Sequence, residues 1–159
     1  MPVPTGGDVS RPTAPSAAVL LVALASLVSA RAAPDETERN RAIVTAFAHR
    51  FYDERDVSGA FARFVAPDYV QHNPGIGDGR AAAVAVLSPM FARAGARFEV
   101  KRILVDGDMA AIHLRGQADP ASSGGAVVDL YRLKNGRIVE HWDVIQPIAA
   151  KTINPHPYF

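Results

Sequence analysis

Three residues near the C-terminus have the types and spacing for proton chemistry: Asp129, His141 and Asp143. A carboxylate that holds an imidazole, with a second carboxylate two residues further along the strand, makes a workable acid–base group. The alternative is a solvated strand face on which these side chains meet only water, since charged residues on strands are mostly exposed. Which holds depends on the hairpin that joins Ala126–Leu133 to Arg137–Gln146 through Lys134-Asn135-Gly136, the strongest short-range hairpin signal in the chain. A two-residue Asn135-Gly136 turn places Asp129 opposite Trp142. A three-residue loop with Gly136 in the left-handed conformation pairs Leu133 with Arg137 and Asp129 with His141. On that second register Asp129, Tyr131, Leu133, Val139, His141 and Asp143 share one face, and Val128, Leu130, Arg132, Glu140 and Trp142 share the other.

The elements that must position these residues follow a change of period. From Asp35-Glu36-Thr37-Glu38, which reads as a capping box, Ile43, Val44, Phe47 and Phe51 recur at helical spacing. A short helix capped by Asp56 carries Phe61, Phe64 and Val65 and ends before Pro67. Asp68–His72 reads as extended and stops at Asn73-Pro74, and Gly75–Gly79 is a loop. Arg80–Ala94 reads as an Ala-rich helix disturbed at Ser88-Pro89. Beyond Gly95 the period becomes two, with a turn at Asp106-Gly107, a strand over Met109–Gln117 and then the hairpin. Helices first and strands later is an α+β order: one domain with a curved antiparallel sheet and the N-terminal helices packed on its concave face.

Composition narrows the chemistry. The 159 residues include no cysteine, which excludes thiolate catalysis, disulfides, iron–sulfur clusters and zinc sites built on sulfur. Seventeen Lys+Arg balance sixteen Asp+Glu, so no basic face offers itself to nucleic acid. Ala17–Val28 is a run without charge, preceded by Arg11 and followed by Val28-Ser29-Ala30 and Ala30-Arg31-Ala32, both of which fit a signal-peptidase site. As a helix it would reach roughly 18 Å, too short for a ~30 Å hydrocarbon core. Residues 1–32 therefore read as a signal peptide, or else an N-terminal anchor, and 33–159 as the domain. A periplasmic or secreted protein, off the membrane once the signal is removed, is expected.

Two further segments carry a resemblance. Tyr69-Val70-Gln71-His72-Asn73-Pro74 with Asp78-Gly79-Arg80, and Asp129-Leu130-Tyr131-Arg132 with Asn135-Gly136-Arg137-Ile138-Val139-Glu140-His141-Trp142-Asp143 and Gln146, resemble the two signatures of the SnoaL-like polyketide cyclases of the NTF2-like superfamily. The branch described as predicted aldol-condensation enzymes is the most similar. The resemblance implies an NTF2-like cone whose open end admits an apolar ligand, and a homodimer packed through the sheet. It implies acid–base chemistry by an Asp at the position of Asp143, with neither metal nor cofactor, and it favours the three-residue turn. Position 129 departs from the family pattern, in which the cyclases carry His.

The expected activity is aldol condensation, cyclisation or isomerisation next to the carbonyl of a small apolar substrate, with Asp143 as base and His141 as its partner. Epoxide opening is a lesser possibility, and a ligand-binding module without turnover is the alternative function. His72, Asn73 and His113 are candidates to steady the oxyanion. His72 and Asn73 have strand termination as their other role, and His113 has core packing. Tyr69 and Tyr131 complete the expected ligand contacts, Tyr131 with packing as its alternative. His72, His113, His141 and Asp129 show no His-x-His or His-x3-His pair, so no metal is expected. Val128, Leu130, Trp142 and Val144 make the opposite face apolar enough to expect it to be the dimer face.

Overall fold

The computed structural model describes residues 1–2 and 35–159, and the apolar run read as an export signal lies outside the described residues. The chain divides between Ala32 and Ala33, and every helix and strand among the described residues belongs to the second unit. Helix α1 spans Glu36–Ala48, its N-terminus capped by Asp35, whose carboxylate accepts the Glu38 N–H at 2.8 Å. A π-helical turn, His49–Asp53, continues it and buries Phe51 and Tyr52. Helix α2 spans Val57–Phe64 and is capped by the Asp56 carboxylate on the Gly59 N–H. Strand β1, Val65–Gln71, starts directly from α2, earlier than the Asp68 expected from sequence. Pro67 therefore lies inside it, which an edge strand tolerates because one row of its N–H groups needs no partner. Helix α3, Arg80–Phe91, carries Pro89 in its last turn and ends short of Ala94.

Strands β2 (Arg97–Asp106), β3 (Met109–Gln117), β4 (Gly125–Lys134) and β5 (Arg137–Pro147) form an antiparallel meander. Strand β1 adds to β5 in parallel, so the order is β1-β5-β4-β3-β2. The antiparallel sheet expected from sequence is corrected to a mixed one, curved and unclosed, with three α-helices among the described residues: an α+β NTF2-like cone. Between helices and sheet lies an aromatic core in which Phe47 stacks on Phe51 at 5.1 Å and meets Phe61, Phe64 and Tyr131 edge-on.

The hairpin differs from the expected three-residue loop. Lys134 pairs with Arg137 across a two-residue turn, with Asn135 at φ 51° and Gly136 at φ 75°, the positive pair that a type I′ turn requires. One bulge follows: Leu133 faces Ile138, but Arg132 faces Glu140, leaving Val139 as the extra residue. The bulge moves the register by one, so Asp129 stands opposite Asp143 and Tyr131 opposite His141. Asp129, Tyr131, Leu133, His141 and Asp143 still share the helix-covered face, by a route the sequence reading did not contain. On the other face Trp142 stacks on His72 at 4.7 Å, and Arg132 lies over the Trp142 ring at 5.7 Å.

Candidate functional site

A cavity of about 310 Å³ opens between α3, the π-helical turn and the concave face of the sheet. Phe61, Leu87, Met90, Phe91, Phe98 and Leu114 give it apolar walls. Its polar groups gather on β1 and the two residues after it, on β4 and on β5: Tyr69, Gln71 and Asn73, then Asp129 and Tyr131, then His141 and Asp143, joined by Tyr52 from the π-helical turn. Small size, apolar walls and a few converging polar groups are the usual make-up of a small-molecule site.

Asp129 is buried and well served. Its Oδ2 accepts the Tyr52 hydroxyl at 2.5 Å, and its Oδ1 lies 3.1 Å from His141 Nε2. The other ring nitrogen of His141, Nδ1, is 2.8 Å from Gln71 Oε1, and Gln71 Nε2 donates to the Tyr69 hydroxyl oxygen at 2.8 Å. Asp143 is half-buried. Its Oδ2 accepts the Asn73 side-chain amide at 2.5 Å, and its second oxygen has no hydrogen-bond partner among the described residues. Asn73 is itself held by its N–H on Gln71 Oε1 at 2.9 Å and by its Oδ1 on the Gly75 N–H at 2.8 Å. Burial first, then the nearby Asp129 carboxylate, pushes the hydroxyls of Tyr52, Tyr69 and Tyr131 above the ordinary phenol range, so all three keep their hydrogens at neutral pH.

Of the residues expected from sequence, Asp129, His141, Asp143, Asn73, Tyr69 and Tyr131 come together in the cavity. His72 and His113 do not. In an extended chain neighbours point to opposite faces, so His72, next to Asn73, lies outside on Trp142 with Nε2 2.9 Å from Glu140 Oε1. His113 sits between the buried Ile112 and Leu114, faces away with Ala111 and Arg115, and stacks on Phe159 at 5.3 Å. Two polar residues were missed. Gln71 was recoverable, because Tyr69, Gln71 and Asn73 recur with period two and share one face. Tyr52 was not, because its direction comes from the π-helical turn. One oxygen from each of Asp129 and Asp143 and one ring nitrogen of His141 lie within 4.8 Å of one another, a group whose donor types suit a divalent cation. Both His141 nitrogens are, however, engaged by protein groups.

A curved α+β cone with an apolar cavity and acid–base groups on its last two strands defines the NTF2-like class. Within it, a sequence model of the SnoaL-like domain matches residues 44–141, and the chain belongs to that family. No curated protein matches the chain in sequence. Among solved structures it is similar to an NTF2-like protein of unknown function from Mesorhizobium loti, at 26% identity over 72% of this chain and 96% of that one, with TM-score 0.61. It also resembles a putative ketosteroid isomerase from Kribbella flavida, at 20% identity over 75% and 86% of the chains, TM-score 0.58. An LEH-like epoxide hydrolase of M. tuberculosis is similar at 22% identity over 70% and 86%, TM-score 0.57. The last two likenesses bear on the fold.

Proposed function

We propose that the protein is an acid–base enzyme that works next to the carbonyl of a small, largely apolar substrate, by aldol condensation, cyclisation or isomerisation, using its own side chains alone. The observation that carries this reading is the asymmetry of the two carboxylates. Asp129 is committed to Tyr52 and His141, whereas Asp143 lines the cavity with one oxygen unpartnered among the described residues. Asp143 is the base that removes a proton from the carbon next to the carbonyl, and Asn73 holds it in place. Asp143 then returns the proton to the product, and the Asp129–His141 pair beside it holds Tyr52 and Gln71 in place around the substrate. The fold is shared with a protein described as a putative ketosteroid isomerase, and that description is compatible with this chemistry.

Exchange of α-hydrogens for deuterium in 2-tetralone, followed by proton NMR in D₂O, tests it without knowledge of the natural substrate. The native protein is expected to accelerate exchange and Asp143→Asn to abolish it while the ketone still binds. Equal exchange by the two proteins removes the enzyme reading and leaves a ligand-binding module, the reading that the departure at position 129 favours.

The 1–32 segment fits the same proposal as an export signal, with the domain working in the periplasm or outside the cell. A chain starting at Pro34 should then unfold cooperatively, with a midpoint close to that of the full chain.

A further inference from the structure

Each hydroxyl in the cavity carries a single hydrogen, and following those hydrogens leaves one unassigned. Tyr52 gives its hydrogen to Asp129 Oδ2, and Tyr131, 3.0 Å from the Tyr52 oxygen, then donates to Tyr52. The Gln71 amide is oriented from outside the pair it bridges. The backbone N–H of Asn73 can only donate, so the atom facing it at 2.9 Å is the oxygen, Oε1. The same oxygen faces His141 Nδ1, which must carry a hydrogen. The amide nitrogen of Gln71 therefore faces Tyr69 and donates to its oxygen. The Tyr69 hydrogen has no acceptor among the described residues, although the residue is only 2% exposed and lines the cavity.

We propose that the Tyr69 O–H is the hydrogen-bond donor to the carbonyl oxygen of the ligand, and that Gln71 is the positioning residue that aims it there. The proposal rests on the carbonyl chemistry assigned to Asp143 and fills the place left by His72 and His113. In the enolising step the free oxygen of Asp143 takes the α-proton, and the C–H electron pair becomes the new C=C bond. The carbonyl π pair moves to oxygen, and Tyr69 stabilises that developing charge; return of the proton reverses each change. A hydroxyl kept neutral by burial remains a donor throughout.

Gln71→Glu separates aim from shape. A carboxylate at 71 still accepts from Asn73 N–H and His141 Nδ1–H, but it has no N–H for Tyr69, so the Tyr69 hydrogen turns onto it and leaves the cavity. The test is the infrared stretch of bound 2-tetralone labelled with ¹³C at the carbonyl, which needs no turnover. The native protein should lower the stretching frequency relative to the ketone in alkane, and both Tyr69→Phe and Gln71→Glu should return it to the alkane value. ¹⁵N NMR should show His141 still protonated at Nδ1 in Gln71→Glu. Exchange should fall by about 10²–10³-fold in both variants, the usual loss of one oxyanion donor. A lowered frequency that survives Tyr69→Phe overturns the donor, and one that survives Gln71→Glu overturns the aiming role. Failure to bind 2-tetralone up to its solubility overturns the ligand class and both readings with it. A lowered frequency without any exchange removes Asp143 as base but keeps the Tyr69 contact.

Discussion

Asp129 and Asp143 stand directly opposite one another across the β4–β5 ladder. Like charges so placed repel, and each acid is provided for separately. Asp129 receives Tyr52 and His141, and Asp143 receives Asn73 alone among the described residues. The two acids should therefore respond differently to the same isosteric change.

Asp143→Asn is expected to lower α-exchange by about 10²–10⁴-fold, the range of a lost general base, with a thermal midpoint close to native. Asp129→Asn removes the buried negative charge that the Tyr52 hydroxyl and the His141 ring both address, so two charge-assisted contacts weaken together. It should cost about 1–3 kcal/mol of stability, read from denaturant unfolding. A stable Asp129→Asn protein, or a loss of exchange below tenfold in Asp143→Asn, breaks the assignment.

The order of elements was legible because each depends on local signals: Asp35 and Asp56 as caps, the helical spacing of Val44, Phe47 and Phe51, and the alternation of Ile112 and Leu114 with His113. The parallel placement of β1 beside β5 was not, because no local pattern records which distant strand an edge strand joins. The shared face of Asp129, His141 and Asp143 was anticipated, but through a three-residue loop. The chain instead uses a two-residue turn and a bulge at Val139, and the two devices together restore the same face. Chemistry alone makes His72 and His113 candidates; period two, applied strictly around Asn73 and around Ile112, places both outside and brings Gln71 in.

Gly136 sits at φ 75° in that turn, a conformation that costs an L-residue roughly 1–2 kcal/mol. Gly136→Ala should lower unfolding stability by about that amount. Asn135→Gly, at φ 51°, should be nearly neutral, since the left-handed region is open to both residue types. Equal losses at the two positions in a denaturant titration contradict the two-residue turn.

His113 supplies a pH dependence outside the site. Partial burial, then Arg102 and Lys101 on the neighbouring strand, lower its pKa below the ordinary histidine value. Val128 faces it from β4, and Phe159 stacks on it. With a folded pKa below the unfolded one, the unfolded chain binds the extra proton as pH falls through about 6.5. The contribution is complete above that value and is lost progressively on acidification toward the lowered pKa. His113→Gln should flatten this part of the stability curve between pH 7.5 and 5.5. The measurement is the difference between the two proteins' midpoints at each pH, and a constant difference defeats the expectation.

Oligomeric state is the last expectation, and it rests on the face turned away from the cavity. Trp142 is half-buried within one chain, stacked on His72 and approached by Arg132, which also donates to Glu140 Oε2 at 3.0 Å. Val144 on β5 and Leu104 on β2 stay 63% and 64% exposed on the same side of the sheet. Apolar residues of that size on a sheet face are better satisfied against protein than against water. A second copy of the chain is the partner proposed, with Trp142 near the centre of the contact, where aromatic side chains contribute most. The native protein should sediment as a dimer at micromolar concentration. Trp142→Glu would place an unpaired charge at the centre of the contact and should give a monomer with unchanged circular dichroism. A native chain that is monomeric at high micromolar concentration, or a Trp142→Glu protein that remains a dimer, rules this face out.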